Sequence, residues 1–368
     1  MNRRDFIKYG TILVGAGGIS FFCNSKKFLI KYDNIENPLT ETRPCKIPFV
    51  FCEIQEHGNV RPCCLDFLKN KTPAQSIENV DLLEVWNGKA FSELREKVIK
   101  SDFSMCNRDI CTLYTPCSAD EIPADYTKGP KEIKICYDYE CNYNCLTCRD
   151  KVKTNTPEEM KLFDEVFLPK IVKTAANAEV VSVLGSGDPL ASRHTRHLIK
   201  ELIKEYPNIK FNLFTNGFFL DEKNLTELGI QNNIHGLSVS VDSVCRETYK
   251  KILRTDAFDI VMKNLELMSE WNHPRKFEWF LINFVVHSMN YKEMPEFVKL
   301  AQKLDATAFF TTYRPWGTAE YHKKYNEAAV FEPSNEHYKE LVKILHNPIF
   351  KDKEHCLLEA RLFDIANS

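Results

Sequence analysis

From about residue 130 onward, hydrophobic residues recur in two alternating patterns. Short runs rich in Val, Ile and Phe stand at 131–138 (KEIKICYD), 178–187 (AEVVSVLGSG), 209–217 (IKFNLFTNG), 234–242 (IHGLSVSVD), 276–287 (KFEWFLINFVVH) and 306–313 (ATAFFTTY). Between them lie stretches with the apolar spacing of an amphipathic helix, among them 194–207, 258–271 and 291–305. Thr156-Pro157-Glu158-Glu159 supplies an N-cap, a proline at the first helical position and a glutamate three residues after the cap, so a helix starts there. Asn290 and Glu293 predict a second capped start. Strands alternating with helices predict βα units on a parallel sheet. Six units fall short of the eight of a closed barrel, so the fold class expected is α/β, a partial (β/α)6 barrel over residues 130–330.

The pattern before residue 130 is different. Residues 53–64 (EIQEHGNVRPCC) predict two short strands about a turn at His57-Gly58, and Leu83, Trp86, Phe91 and Leu94 predict one helical segment over 82–98. Residues 331–345 predict a closing helix, within a C-terminal helical segment over 331–368.

Cysteine placement changes the picture. Of 14 cysteines, all but Cys23, Cys245 and Cys356 fall between Cys45 and Cys148, and such a cluster points to disulfides, zinc or iron–sulfur chemistry. Cys141, Cys145 and Cys148 form C-x3-C-x2-C just after the first predicted strand of the βα region. Ligands in parallel βα folds sit at the C-terminal ends of strands. Iron–sulfur clusters are held by thiolates, and three thiolates on a four-iron cubane leave one iron able to bind something else. Lone Cys245 and Cys356 are expected to be buried as small hydrophobes.

The triplet in this context resembles the signature of the radical S-adenosylmethionine (radical SAM) superfamily. The resemblance implies a [4Fe-4S] cluster on Cys141, Cys145 and Cys148 whose open iron binds S-adenosyl-L-methionine. An electron then cleaves that cosubstrate, and the 5′-deoxyadenosyl radical abstracts hydrogen from a substrate. Gly185-Ser186-Gly187-Asp188-Pro189 stands where the family has Gly-Gly-Glu-Pro against the methionyl amino group; here Asp188 is one methylene shorter. Asn216, at the end of the third strand, and Ser238, Ser240 and Asp242, along the fourth, fall at cofactor-binding positions of the family. Thr147 occupies a position often aromatic there.

The earlier cysteines, Cys45 and Cys63 spaced about Gly58, then a helix and Cys106 and Cys111, resemble the SPASM or twitch auxiliary-cluster module. That module normally follows the radical domain; here residues 40–125 precede it. The resemblance implies an auxiliary [4Fe-4S] cluster on Cys45, Cys63, Cys106 and Cys111, with Cys64 and Cys117 as alternates and Cys52 structural. A zinc site or disulfides are the alternatives for this set. The implied partners are an external low-potential electron donor of flavodoxin or ferredoxin type and a substrate, either a peptide to be modified or an alcohol or carbohydrate to be oxidised. A non-catalytic electron carrier or redox sensor is the competing function class. Arg314, after the sixth strand in a loop reaching Tyr321, is placed to pair with an anionic group.

A net charge of -2 and a pI near 6.6 give no basic field, so no nucleic-acid partner is expected. Residues 1–30 open with Arg3-Arg4, Phe6 and Lys8, followed by a charge-free run from Tyr9 to Phe22. That run is shorter than the roughly 20 residues that span a bilayer and resembles a twin-arginine leader or an anchor. The leader suggests export or membrane association, whereas the supply of S-adenosylmethionine and low-potential electrons suggests the cytoplasm.

Overall fold

The structure is a computed structural model that describes residues 43–64, 67–69, 74–108, 111, 113–184, 187–314 and 323–367. The leader residues lie outside them. Among the described residues no helix is long and apolar enough to cross a membrane.

The frame is one sheet of nine strands in the order β2-β1-β3-β4-β5-β6-β7-β8-β9. The six strands anticipated from the βα pattern are β3 (Glu132–Ile135), β4 (Val180–Val183), β5 (Lys210–Thr215), β6 (Ile234–Ser240), β7 (Trp279–Val286) and β8 (Thr307–Thr312). They pair in parallel in chain order. Two additions lie beyond them. β1 (Phe51–Gln55) and β2 (Asn59–Arg61) form the hairpin expected about His57-Gly58, and β1 docks in parallel against β3. At the other edge, β9 (Cys356–Leu358) pairs in parallel with β8. The C-terminal segment is therefore not purely helical: its helices, α7 (Tyr338–Leu345) and α8 (Ala360–Ala366), flank a strand of the sheet.

Strand alternation sorts the two faces. Ile133, Ile135, Val181, Val183, Leu213 and Phe284 face the helices and join one core, each fully buried side chain of this kind contributing about 1.5–3 kcal/mol. The intervening positions line the inner face of the partial barrel and include a set of buried polar side chains. There Asn212 Nδ2 donates to Ser182 Oγ (2.9 Å), which donates to Glu132 (2.7 Å), and Asn283 Nδ2 donates to Ser238 Oγ (2.6 Å). These side chains pair across strands, while Asn212 Oδ1 and Asn283 Oδ1 are left without a partner.

The two helix starts expected from capping residues fare differently. Thr156 and Glu159 form the expected capping box of α3 (Pro157–Leu162), which continues through a π turn at Phe163–Phe167 into α4 (Leu168–Thr174). Ser192 caps α5 (Arg193–Glu205). Asn290 does not cap the helix after it. Its amide donates to the carbonyls of Asp242 and Val285, while Glu293 accepts from Ser243, Val244 and Cys245; the loop after β6 has captured both side chains. The segment expected as one helix over 82–98 breaks at Asn87-Gly88 into α1 (Leu82–Trp86) and α2 (Lys89–Ile99).

The cysteine-rich region has a small core of its own around Phe49, Cys63, Phe67, Leu94, Val98 and Leu113. Arg95 is buried within it, stacked 4.1 Å from the Trp86 ring and donating to the carbonyls of Pro48 and Trp86. Cys245 is exposed, against the expectation of burial, because the chain enters helix α6 (Arg246–Leu253) there at the surface; Cys356 is buried on β9 as expected.

Candidate functional site

The loop after β3 carries the triplet. The Cys141 N–H donates to the Lys153 carbonyl (2.9 Å) and closes the loop, the Cys148 N–H donates to the Cys145 carbonyl (2.9 Å) as a turn within it, and the Leu146 N–H donates to the Ile252 carbonyl (2.8 Å) and ties it to the end of α6. Cys141 and Cys145 are half-buried and Cys148 is exposed. Burial pushes the Cys141 thiol up to about 11, with Asp188 adding to it. Burial also raises Cys145, followed by the charges of Cys148 and Cys141, so the three sulfurs lie within electrostatic reach of one another. Arg149 donates to the Tyr139 carbonyl (2.8 Å) and to Cys148 Sγ (3.6 Å). Burial works to lower its pKa, but the three thiolates together raise it. Three free, mutually close thiols beside one guanidinium are a donor set that fits an anionic iron–sulfur cluster, since metal binding removes the protons that crowding retains.

The turn after β4 packs directly on this loop. Gly185 and Ser186 lie outside the described residues. The Gly187 N–H donates to the Asp138 carbonyl (3.1 Å) and the Asp188 N–H to the Glu140 carbonyl (2.8 Å). A Cβ on Gly187 would stand 2.2 Å from the Glu140 carbonyl oxygen, so only glycine allows the approach. Pro189 follows, beside Asp138 and Thr195 in a pocket.

Asp188 is buried, and its carboxylate is fully engaged. Oδ1 accepts the N–H groups of Leu190 and Ala191 (both 3.0 Å), and Oδ2 accepts the Thr215 hydroxyl and the Asn216 N–H (both 2.7 Å). Burial raises its pKa against the pull of these bonds. The side chain expected to meet an ammonium is spent on folding the turn, which leaves backbone to face a cofactor.

Asn216 directly follows the end of β5. Its amide donates to Asn142 (2.8 Å) and approaches Cys141 Sγ (4.0 Å). Asp242 lies past the end of β6, in a left-handed conformation with φ of 60°. Its carboxylate accepts the Val285 N–H (2.7 Å), and burial pushes its pKa up to about 7. It acts electrostatically on Cys145. Ser240 is half-buried at the strand end. Ser238 sits deeper, committed to Asn283. Arg314 lies 3.6 Å from the buried Glu359 carboxylate, so its charge is answered within the chain, and the rest of its loop to Tyr321 lies outside the described residues.

Asp138 was not singled out from the sequence. Its carboxylate accepts the Glu140 N–H (3.0 Å), Asn155 (2.8 Å), Thr195 (2.9 Å) and Ser192, clamping the cysteine loop to the start of α5. Asp138 stands 54 positions before Ser192, so no local pattern in the sequence marks it; only the packed loops reveal it.

The second cysteine set also converges. Cys45, Cys63, Cys106 and Cys111 line one cavity of about 360 Å³, open mouth included, with Phe103, Arg108 and Tyr114. Burial raises Cys106 to about 11 and Cys111 to about 12, with Cys45 adding to both. Arg108 stacks 4.1 Å from Phe103 and 3.8 Å from Tyr114, placing a cation at the cavity. Cys64 and Cys117 are not in the lining, and Cys52 is buried in the main core. Among the described residues no three His, Cys, Asp or Glu side chains close together as they would on a single ion; in a cubane each thiolate binds a different iron.

Comparison with known proteins agrees with this geometry. Residues 139–301 match the model of the radical SAM superfamily, and residues 45–112 match that of SPASM, an iron–sulfur cluster-binding domain. The chain thus carries a radical SAM domain, with a SPASM domain placed N-terminal to it. Such a pair of domains implies a [4Fe-4S] cluster with S-adenosylmethionine and auxiliary iron–sulfur binding. Among curated relatives, a probable GTP 3′,8-cyclase of Saccharolobus islandicus (strain L.S.2.15 / Lassen #1) is 28% identical over 179 residues, 47% of this chain and 54% of the relative. The GTP 3′,8-cyclase of Chlorobaculum tepidum is 27% identical over 187 residues, 50% of this chain and 54% of the relative. The molybdenum cofactor biosynthesis protein moc-5 of Caenorhabditis elegans is 28% identical over 194 residues, 51% of this chain and 31% of the relative. The chain thus spans about half the length of the cyclases it matches, and less of moc-5. Among solved structures, Streptococcus suis SuiB bound to S-adenosylmethionine aligns with a TM-score of 0.43 and 15% identity over 63% of this chain and 51% of that one, too distant to say more.

Proposed function

We propose that this protein is a radical SAM enzyme in which Cys141, Cys145 and Cys148 hold a [4Fe-4S] cluster and Cys45, Cys63, Cys106 and Cys111 hold an auxiliary one. When bound, the first cluster and S-adenosylmethionine supply a one-electron cleavage that yields a 5′-deoxyadenosyl radical, which takes hydrogen from a substrate. The observation that carries this reading is the contact of the Gly187-Asp188 backbone with the cysteine loop at Glu140. It sets a glycine turn, as a cosubstrate-binding surface, against the triplet.

The chain's own residues orient and bind. Arg149 places positive charge beside the triplet and stabilises its thiolate form. Backbone groups of Gly187 to Pro189, with Asn216 and the Ser240–Asp242 strand end, lie beside the cysteine loop and hold the cosubstrate. An external donor of flavodoxin or ferredoxin type supplies electrons, and the substrate is a peptide, or an alcohol or carbohydrate. Arg3-Arg4 is read as a twin-arginine leader; equal cytoplasmic retention of the wild type and an Arg3→Lys/Arg4→Lys variant on cell fractionation would dismiss that part.

The test is anaerobic. Iron-loaded protein, reduced with dithionite in the presence of S-adenosylmethionine, is expected to form 5′-deoxyadenosine and methionine, and the Cys141→Ala/Cys145→Ala/Cys148→Ala variant is not. A fully loaded wild type that forms none, with a cluster spectrum unmoved by the cosubstrate, would leave the electron-carrier function in its place.

A further inference from the structure

Cys136 belongs to neither cysteine set. It follows β3 and continues the inner-face series Glu132, Lys134, Cys136, opposite to Ile133 and Ile135, which face the helices. Its Sγ donates to Glu53 Oε1 at 3.5 Å, and Lys134 Nζ stands 3.0 Å from the same oxygen. Glu53 and Lys134 are cross-strand partners on β1 and β3, and both side chains are buried, 4% and 1% exposed. Glu53 Oε2 has no hydrogen-bond partner. The SPASM region thus contributes a carboxylate to the inner face of the barrel and aims it at a thiol five residues before Cys141.

Such a buried ion pair is costly to assemble, and a structural thiol does not need one. The cysteine is half-buried. Burial lifts its pKa well above the usual thiol value, and the nearby Lys134 charge only partly opposes this, so it carries its proton at neutral pH. That excludes a resting thiolate nucleophile. What a protonated thiol offers instead is a bond to hydrogen weaker than the C–H and alcohol O–H bonds around it.

We propose that Cys136 is a hydrogen-atom donor within the barrel, held in place by Glu53 and Lys134. This rests on the reading that the chain generates a 5′-deoxyadenosyl radical. The substrate carbon radical takes the hydrogen atom of the Cys136 S–H bond, forming C–H and leaving a thiyl radical. One electron from the external low-potential donor and one proton restore the thiol. The substrate radical is therefore closed by return of hydrogen rather than by loss of a second electron, and the reaction class is redox-neutral at the substrate, such as inversion at carbon.

The test needs no knowledge of the substrate, because without one the 5′-deoxyadenosyl radical takes hydrogen from a donor within reach. Iron-loaded full-length protein is reduced with dithionite in D2O with S-adenosylmethionine, and the 5′-deoxyadenosine is analysed by mass spectrometry. Wild type is expected to give carbon-bound deuterium from the exchanged thiol. Cys136→Ser keeps a donor to Glu53 but has too strong an O–H bond. It is expected to cut the deuterated fraction roughly tenfold while the cluster spectrum stays unchanged. A second readout uses no turnover: bound S-adenosylmethionine should slow alkylation of Cys136, mapped by mass spectrometry, and leave that of exposed Cys245 unaffected. Unlabelled product from wild type, equal labelling in Cys136→Ser, or alkylation indifferent to the cosubstrate would each overturn the proposal while the radical reading stands. Absence of any 5′-deoxyadenosine from loaded protein would overturn both.

Discussion

Asp188 Oδ2 accepts the backbone N–H of Asn216 at 2.7 Å, joining the turn after β4 to the end of β5. With three further donors on the same carboxylate, the bond makes Asp188 the fastener of two strand ends beside the cysteine loop. Through the Asp188 N–H to the Glu140 carbonyl, the fastener reaches the residue before Cys141.

Replacing Asp188 should therefore damage more than cosubstrate binding. Asp188→Ala leaves four donors without their acceptor and is expected to cost about 3–5 kcal/mol. Asp188→Asn should do nearly as badly, because its NH2 would face two donors. Urea unfolding with iron analysis checks this: a variant with native stability and full iron loading would show that the carboxylate is not structural.

Gly187→Ala should separate the turn from the loop. Its Cβ would meet the Glu140 carbonyl oxygen at 2.2 Å, and backbone on both sides has little freedom to move. The expected result is a loss of about 1–3 kcal/mol in stability and weaker S-adenosylmethionine binding, followed by the shift of the reduced cluster's EPR signal. Gly229→Ala is the control. It meets nothing within 4 Å at a φ of 69° and should cost only about 1 kcal/mol, with no effect on the signal.

Metal content should divide between the two cysteine sets. Anaerobic wild type is expected to hold about eight iron and about eight sulfide per chain, two cubanes' worth. Cys141→Ala/Cys145→Ala/Cys148→Ala should keep about half, and Cys45→Ala/Cys63→Ala/Cys106→Ala/Cys111→Ala should keep the other half. Stoichiometric zinc in place of the second half would reassign the earlier set.

His287 should make the fold acid-labile. It is fully buried, and burial lowers its pKa to about 3; its Nδ1 accepts the Met289 N–H (3.2 Å). Below about 6.5 the unfolded chain binds a proton that the folded chain refuses until about pH 3. Its contribution is thus intact above pH 6.5 and is lost as pH falls toward 3, by about 1.4 kcal/mol per pH unit. His287→Asn keeps an acceptor near Nδ1 and should flatten this slope in unfolding measurements over that range, even if less stable at pH 7. Parallel pH curves for the two proteins would rule the effect out.

Much of the architecture was legible because its causes are local. Val, Ile and Phe runs between amphipathic stretches mark strands and helices by periodicity alone, and all six expected strands are present. The capping box at Thr156 and the hairpin at His57-Gly58 depend on residues within a few positions of each other. Cysteine spacing is likewise local, and it pointed to the groups that the fold later brings together. What only the tertiary structure decided is which distant groups share an atom. Asn290 and Glu293 have the spacing of a cap, yet the loop after β6 outcompetes the helix for both. β9 is three residues long and becomes a strand because β8 presents an open edge to it. Asp188 looks free in sequence and has no spare lone pair in the fold. Glu53 and Lys134 read as ordinary charges in alternating strands, and they are buried as a pair because β1 inserts beside β3. Periodicity along a chain reports which face a residue takes; the partner across that face comes from strands whose separation in sequence carries no pattern.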